Sequence, residues 1–167
     1  MEEAKTKILR NRAMNKKRQN QPDNSALWGL FFTSKSAVGR LRSLELSEIG
    51  VTPEQSGALQ LLMFKDGKSS IAEMTHAWLR QKNSVSTLVD RMSKKGLVRK
   101  IKKPRQKDLE IEITPKGREL YDKIKDTSHV FDMVFAELSA EDKNRFASYL
   151  RLVLKKSRQI LLDREPR

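Results

Sequence analysis

The chain of 167 residues has the length of one domain, or of a core domain with helical additions, and its 37% hydrophobic share is too high for wholesale disorder. With no cysteine it has no disulfide framework, thiolate zinc site or cysteine redox sensor, and no apolar run approaches the length of a membrane span. Thirty-five Lys and Arg against twenty-one Asp and Glu give a net charge of +14, which predicts polyanionic partners, nucleic acid ahead of acidic membrane.

Met1–Asn20 lacks the apolar stretch of a signal peptide, so the expectation is a cytoplasmic protein with no membrane partner. Lys5, Lys7, Arg10, Arg12, Lys16, Lys17 and Arg18 make this segment a basic arm or a short extra helix. Pro22-Asp23-Asn24-Ser25 reads as a turn and helix start, with Ser25 or Asn24 as the cap. Leu27, Leu30, Phe31, Ser34, Val38 and Leu41 then recur at helical spacing to about Leu46. Thr52-Pro53-Glu54-Gln55 opens a second helix, with Thr52 as cap and Gln55 able to close a capping box. That helix carries Ala58, Leu59, Leu61, Leu62 and Met63 and stops near Asp66-Gly67.

Ser69 or Ser70 starts a third helix, with Ile71, Met74 and Trp78 inward. After a turn at Leu79–Lys82 a fourth runs from about Asn83 to Lys95, burying Val85, Leu88, Val89 and Met92 before a left-handed cap at Gly96. Val98–Ile101 and Leu109–Ile113 read as strands, the second alternating with a period of two, joined by a turn over Lys102–Lys107. Thr114-Pro115 opens a helix that spaces Leu120, Ile124, Phe131, Val134 and Leu138 along one face. Ser139 caps a last helix bearing Phe146, Tyr149, Leu150, Val153, Ile160 and Leu161.

Two short helices joined by a tight turn, then a hairpin with a basic tip, make a winged helix-turn-helix. The fold class is mainly α (α+β). From Arg91 to Lys107 there are nine cations and no acid. The expected DNA-contacting residues are Lys82, Asn83, Ser84, Ser86, Thr87, Asp90, Arg91 and Lys94 of the reading helix and Lys102, Lys103, Arg105 and Lys107 of the wing. Short polar groups suit base edges and cations suit phosphates. Asp90 is expected to orient Arg91.

The stretch Val85-Ser86-Thr87-Leu88-Val89-Asp90-Arg91-Met92-Ser93-Lys94-Lys95-Gly96-Leu97-Val98, followed by Ile113-Thr114-Pro115-Lys116-Gly117, resembles the MarR family of bacterial and archaeal transcriptional regulators. The resemblance implies a homodimer held by its first and last helices, binding a pseudo-palindromic double-stranded operator, commonly as a repressor that a small ligand releases. The implied division is an arm over 1–24, a dimerisation helix over 25–48, the reading domain over 49–114, and helices completing the dimer over 115–167. Wings of that family usually carry an Asp-x-Arg pair nine and seven residues before the threonine that opens the next helix. Those positions here are Arg105 and Lys107, so an intra-wing ion pair is lost and phosphate attraction rises.

Leu27, Leu30, Phe146, Leu150, Val153 and Ile160 are expected in the dimer interface rather than folded back within one subunit. Trp28, Phe31, Phe32, His76 and Trp78 either line a pocket for a small apolar or aromatic effector or belong to plain core and interface. Gly67-Lys68-Ser69 lacks the earlier glycine of a phosphate-binding loop, since Leu62 stands there. Glu73 and His76 have the spacing of a helical metal pair, but no further ligands converge in the sequence. No catalytic constellation, metal or cofactor is expected. The rival reading is a basic RNA- or ribosome-associated protein without sequence-specific DNA readout.

Overall fold

A computed structural model describes residues 23–102 and 109–164. The chain divides into two compact units between Arg40 and Leu41. The first contains most of α1 (Asn24–Ser47), which opens on Asp23: its carboxylate accepts from the Ala26 amide at 2.8 Å. The cap is therefore one or two residues earlier than Asn24 or Ser25, the carboxylate being the stronger acceptor for helix-start amides. Within this unit Leu27, Trp28, Leu30, Phe31 and Phe32 are exposed, and the Trp28 ring lies 6.2 Å from each of the two phenylalanine rings.

The second unit runs from the end of α1 through α2 (Pro53–Phe64), β1 (Lys68–Ser70), α3 (Ile71–Trp78), α4 (Lys82–Lys94), β2 (Val98–Ile101), β3 (Glu110–Ile113), α5 (Pro115–Asp126), α6 (His129–Val134) and α7 (Ala140–Arg164). Thr52 and Gln55 form the expected capping box, and Thr114 caps α5 by accepting from the Gly117 amide at 3.1 Å. Leu46, Leu59, Leu62, Met74, Val85, Val89, Met92 and Ile111 are fully buried and build one core from α1, α2, α3, α4 and the sheet.

Two departures from the sequence reading have physical causes. Of the two expected helix starts, Ser70 caps α3, while Ser69 lies within Lys68–Ser70, an unexpected third strand that pairs antiparallel with β3, setting Ser69 opposite Ile111 in the sheet order β1-β3-β2. The helix expected to carry Leu120 through Leu138 is interrupted after Asp126. There the Ser128 hydroxyl donates to the Ile124 carbonyl at 2.8 Å, and two side chains of α1 complete the break. Arg42 donates to the carbonyls of Ile124 and Thr127 at 3.3 and 3.2 Å. Glu45 accepts from the His129 and Val130 amides at 2.7 and 3.0 Å. Ser128 supplies no side-chain cap to α6, so Glu45 does so from another helix.

Candidate nucleic-acid interface

The reading motif begins with a reciprocal cap. Ser70 accepts from the Glu73 amide at 3.1 Å, and Glu73 accepts from the Ser70 amide at 2.9 Å. The Lys65 ammonium, 2.5 Å from Glu73, and the Ser70 amide hold this carboxyl at about 2. The group that looked like half of a metal pair is thus engaged in a cap and an ion pair. Because its folded value lies below the ordinary 4.5, the stabilisation is fully present above about pH 4.5 and is lost as pH falls towards about 2. Glu73→Gln, which can still cap, is expected to flatten the fall in stability across that window; denaturant unfolding at a series of pH values measures it.

Leu79, in the left-handed region at φ 52°, turns the chain from α3 into α4. On α4 the buried stripe is Val85, Leu88, Val89 and Met92. Asn83, Ser84, Thr87, Asp90, Arg91 and Lys94 are exposed on the other side, and Ser86 is half-buried at the boundary. The Thr87 hydroxyl donates to the Asn83 carbonyl at 2.9 Å, which commits its proton to the helix and leaves its oxygen lone pairs and methyl for a ligand. Gln81 gives α4 no side-chain cap.

Asp90 is engaged differently from the sequence expectation: its carboxylate pairs with Lys100 on β2 and ties the reading helix to the hairpin. Arg99 lies opposite Glu112 in the β2–β3 register and bonds it at 2.5 Å, and Lys68 reaches the same carboxylate at 3.5 Å. The hydrogen bond from Arg99 lowers the Glu112 carboxyl. Sequence reasoning counted Arg99 and Lys100 in the basic run and missed both pairings; the cross-strand position of Arg99 and Glu112 was the available signal. Lys82, Arg91, Lys94 and Lys102 pair with no carboxylate among the described residues. Lys103, Arg105 and Lys107, with the substituted wing position, lie outside the described residues.

The aromatic candidates do not share one cleft. Trp78 is half-buried and lines, with Pro53, Glu54, Gly57, Arg80 and Leu88, a cleft of about 300 Å³. His76 lines a different one. Trp28, Phe31 and Phe32 form their own cluster in the first unit. No helix among the described residues is long and apolar enough to cross a membrane, and no described group of three or more His, Asp or Glu could hold a metal ion.

No protein-family model matches the sequence, and no curated protein matches it. Solved structures do. The organohalide-sensing transcriptional regulator RdhR in its 2,4-dichlorophenol-bound form superposes with a TM-score of 0.75 at 22% identity, over 85% of this chain and 85% of that one. AbsC, a MarR family transcriptional regulator from Streptomyces coelicolor, gives 0.75 at 18% identity over 83% and 97%. A mutant of MarR from E. coli complexed with operator DNA gives 0.71 at 18% identity over 77% and 93%. With its capped helix pair, reading helix and antiparallel wing, the chain has the winged helix-turn-helix fold of the MarR-family transcriptional regulators.

Proposed function

We propose that the protein is a non-enzymatic transcriptional regulator of the MarR type, a homodimer that binds a pseudo-palindromic double-stranded DNA operator and acts as a ligand-responsive repressor. The observation that carries this reading is α4, a helix with a fully apolar buried stripe whose opposite face holds Asn83, Ser84, Thr87, Arg91 and Lys94 in solvent. Short polar groups at the front of such a helix read base edges, and the cations behind them neutralise phosphates. Lys102, with Lys103, Arg105 and Lys107 of the sequence between β2 and β3, is expected to add phosphate contacts. The E. coli MarR mutant bound to operator DNA supports the duplex as partner, and dichlorophenol-bound RdhR supports a small organic effector.

The dimer reading rests on α7, which has no buried residue although Phe146, Leu150, Val153 and Ile160 recur along it at 38–52% exposure. Leu27 and Leu30 of α1 are similarly uncovered. We expect Val153→Glu to give monomers in sedimentation, because a charge in an apolar interface is desolvated without a partner. A variant that stays dimeric removes α7 from the interface.

The deciding experiment selects bound duplexes from a random pool and competes the winner against scrambled DNA as salt rises. A palindrome with half-sites about one helical turn apart is the expected result. Binding that collapses equally on every sequence would favour the basic RNA- or ribosome-associated reading instead. On the selected duplex, Thr87→Ala or Arg91→Ala is expected to lose roughly 1–3 kcal/mol of discrimination at one or two base positions. Gel-shift titration of each variant on selected and scrambled DNA measures it, and equal losses on both mean that the helix grips only the backbone.

A further inference from the structure

A cleft of about 320 Å³ opens at the far end of α4, where the turn joining α1 to α2 meets the start of α5. Ile49, Val51, Leu97 and Leu120 give it an apolar wall continuous with the core. Lys94, Lys95 and Lys116 line it as well; all three are exposed, and none pairs with a carboxylate among the described residues. No carboxylate is among the lining residues.

Gln55 is the informative side chain. It is 5% exposed, and its side-chain oxygen accepts from the Thr52 amide at 3.3 Å. A backbone amide can only donate, so this bond fixes the carboxamide with its oxygen on the cap and its NH2 turned away. The NH2 donates to nothing among the described residues. Among those residues the one fully buried side-chain polar atom without a partner is Nε of Arg158, so the unpaired nitrogen of Gln55 reaches accessible surface, and the cleft is the surface that Gln55 lines. Donors on buried side chains are almost always paired, and this one can be completed from the cleft.

The nearby acceptors are already engaged. The Lys95 carbonyl accepts from Nζ of Lys116 at 3.0 Å, the Gly96 carbonyl from the Thr114 hydroxyl at 2.7 Å, and the Leu97 carbonyl from the Thr114 amide at 3.1 Å. The cleft therefore presents three ammonium groups and an amide, donors throughout, which selects an anion. Lysine ammoniums are compact point charges that suit the dispersed oxygens of a phosphate, whereas a planar carboxylate is matched by arginine. Three cations beside an apolar wall favour a dianion with an apolar body. We propose that this cleft binds the phosphomonoester of a small apolar molecule, its phosphate held by Lys94, Lys95 and Lys116 and touching the Gln55 amide. Lys94 ends α4 and Lys95 is its C-cap, so a bound dianion offsets charge at the end of the reading helix. Any resulting change in DNA affinity rests on the regulator reading above; the binding itself does not.

Hexyl phosphate is the probe, titrated into the full chain while the proton–nitrogen resonances of the Gln55 side-chain amide are followed, so that binding elsewhere on the molecule is not counted. Saturable shifts are expected at about pH 7.5, with hexanol and inorganic phosphate each about tenfold weaker or more. Near pH 5 the ester loses its second charge, whose pKa is about 6, and binding should weaken by a similar factor. Lys116→Gln is expected to weaken hexyl phosphate likewise. Equal engagement by hexanol, equal engagement by inorganic phosphate, or an amide unmoved by millimolar hexyl phosphate overturns the proposal, and these comparisons use the wild-type chain, so they stand if the variant is unstable. A scrambled duplex that shifts the amide as hexyl phosphate does assigns the lysines to the DNA backbone and also overturns it. DNA selection is scored separately. Hexyl phosphate binding without a selected operator fails the regulator reading alone, and a selected operator without hexyl phosphate binding fails the cleft alone.

Discussion

Gly117→Ala is expected to destabilise the fold by about 3 kcal/mol and lower its unfolding temperature by roughly 6–12 °C, as overpacking against backbone does in a chain of this length. A methyl on Gly117 would sit 2.2 Å from the Leu97 carbonyl oxygen and 2.8 Å from Cγ1 of Ile113. Neither neighbour can yield. The Leu97 carbonyl accepts from the Thr114 amide at 3.1 Å, and the Thr114 hydroxyl donates to the Gly96 carbonyl at 2.7 Å. Ile113 is buried in the core at the end of β3. The glycine is required by this close approach of α5 to the base of the hairpin. Gly39→Ala is the control: it lies inside α1 with nothing within 4 Å of the added methyl, and is expected to stabilise by roughly 0.5–1 kcal/mol. Thermal and denaturant unfolding of the two variants should move in opposite directions.

Arg42→Ala is expected to cost about 3–5 kcal/mol, the range for breaking a buried ion pair from one side. Arg42 is 8% exposed and pairs with Glu45, holds the two carbonyls at the end of α5, and lies 5.4 Å from the centre of the Phe131 ring. Burial raises the Glu45 carboxyl, but the bonds from Arg42 and from the Val130 and His129 amides outweigh it, and the net shift is downward from 4.5. Stability from this group is therefore present above its ordinary range and lost as pH falls through the lowered value. Without Arg42 burial counts for more, so the acid-side loss should begin at higher pH. A double-mutant cycle with Glu45→Gln should return less than the sum of the single losses, since each variant alone strands the other partner. Additive losses would mean that the two side chains act on the α5–α6 junction independently.

The parts of this architecture written in local signals were legible from the sequence. Thr52-Pro53 and Thr114-Pro115 marked helix starts, and the apolar stripe of α4 and the alternation of Glu110–Ile113 gave the reading helix and one wing strand. What escaped depends on partners far along the chain. Lys68-Ser69-Ser70 is too short for a period, and its serines read only as a helix start until β3 is placed beside them. The break between α5 and α6 is completed by residues more than eighty positions earlier, so the helical spacing of Phe131 and Val134 ran through it unmarked. Asp90 sits one residue before Arg91 and invites that pairing, yet neighbours in a helix point apart, and the carboxylate finds Lys100 across the fold. Arg158 carries no local signal in the sequence, because only its contact with the Ala77 carbonyl, eighty-one positions away, reveals the buried side of the guanidinium.

The pairing at the sheet has an electrical consequence. Among the described residues, Lys68, Arg99 and Lys100 stand against Glu110, Glu112 and Asp90, three cations and three carboxylates, so these pairs add little to the outward field. Lys82, Arg91, Lys94 and Lys102 remain as nearby sources without that compensation among the described residues. A polyanion drifting past thus meets a gradient rather than a uniform attraction, and feels a torque towards α4 before any contact forms. Such steering shortens the rotational search of an encounter, and it fades once added salt brings the screening length to about 10 Å or less.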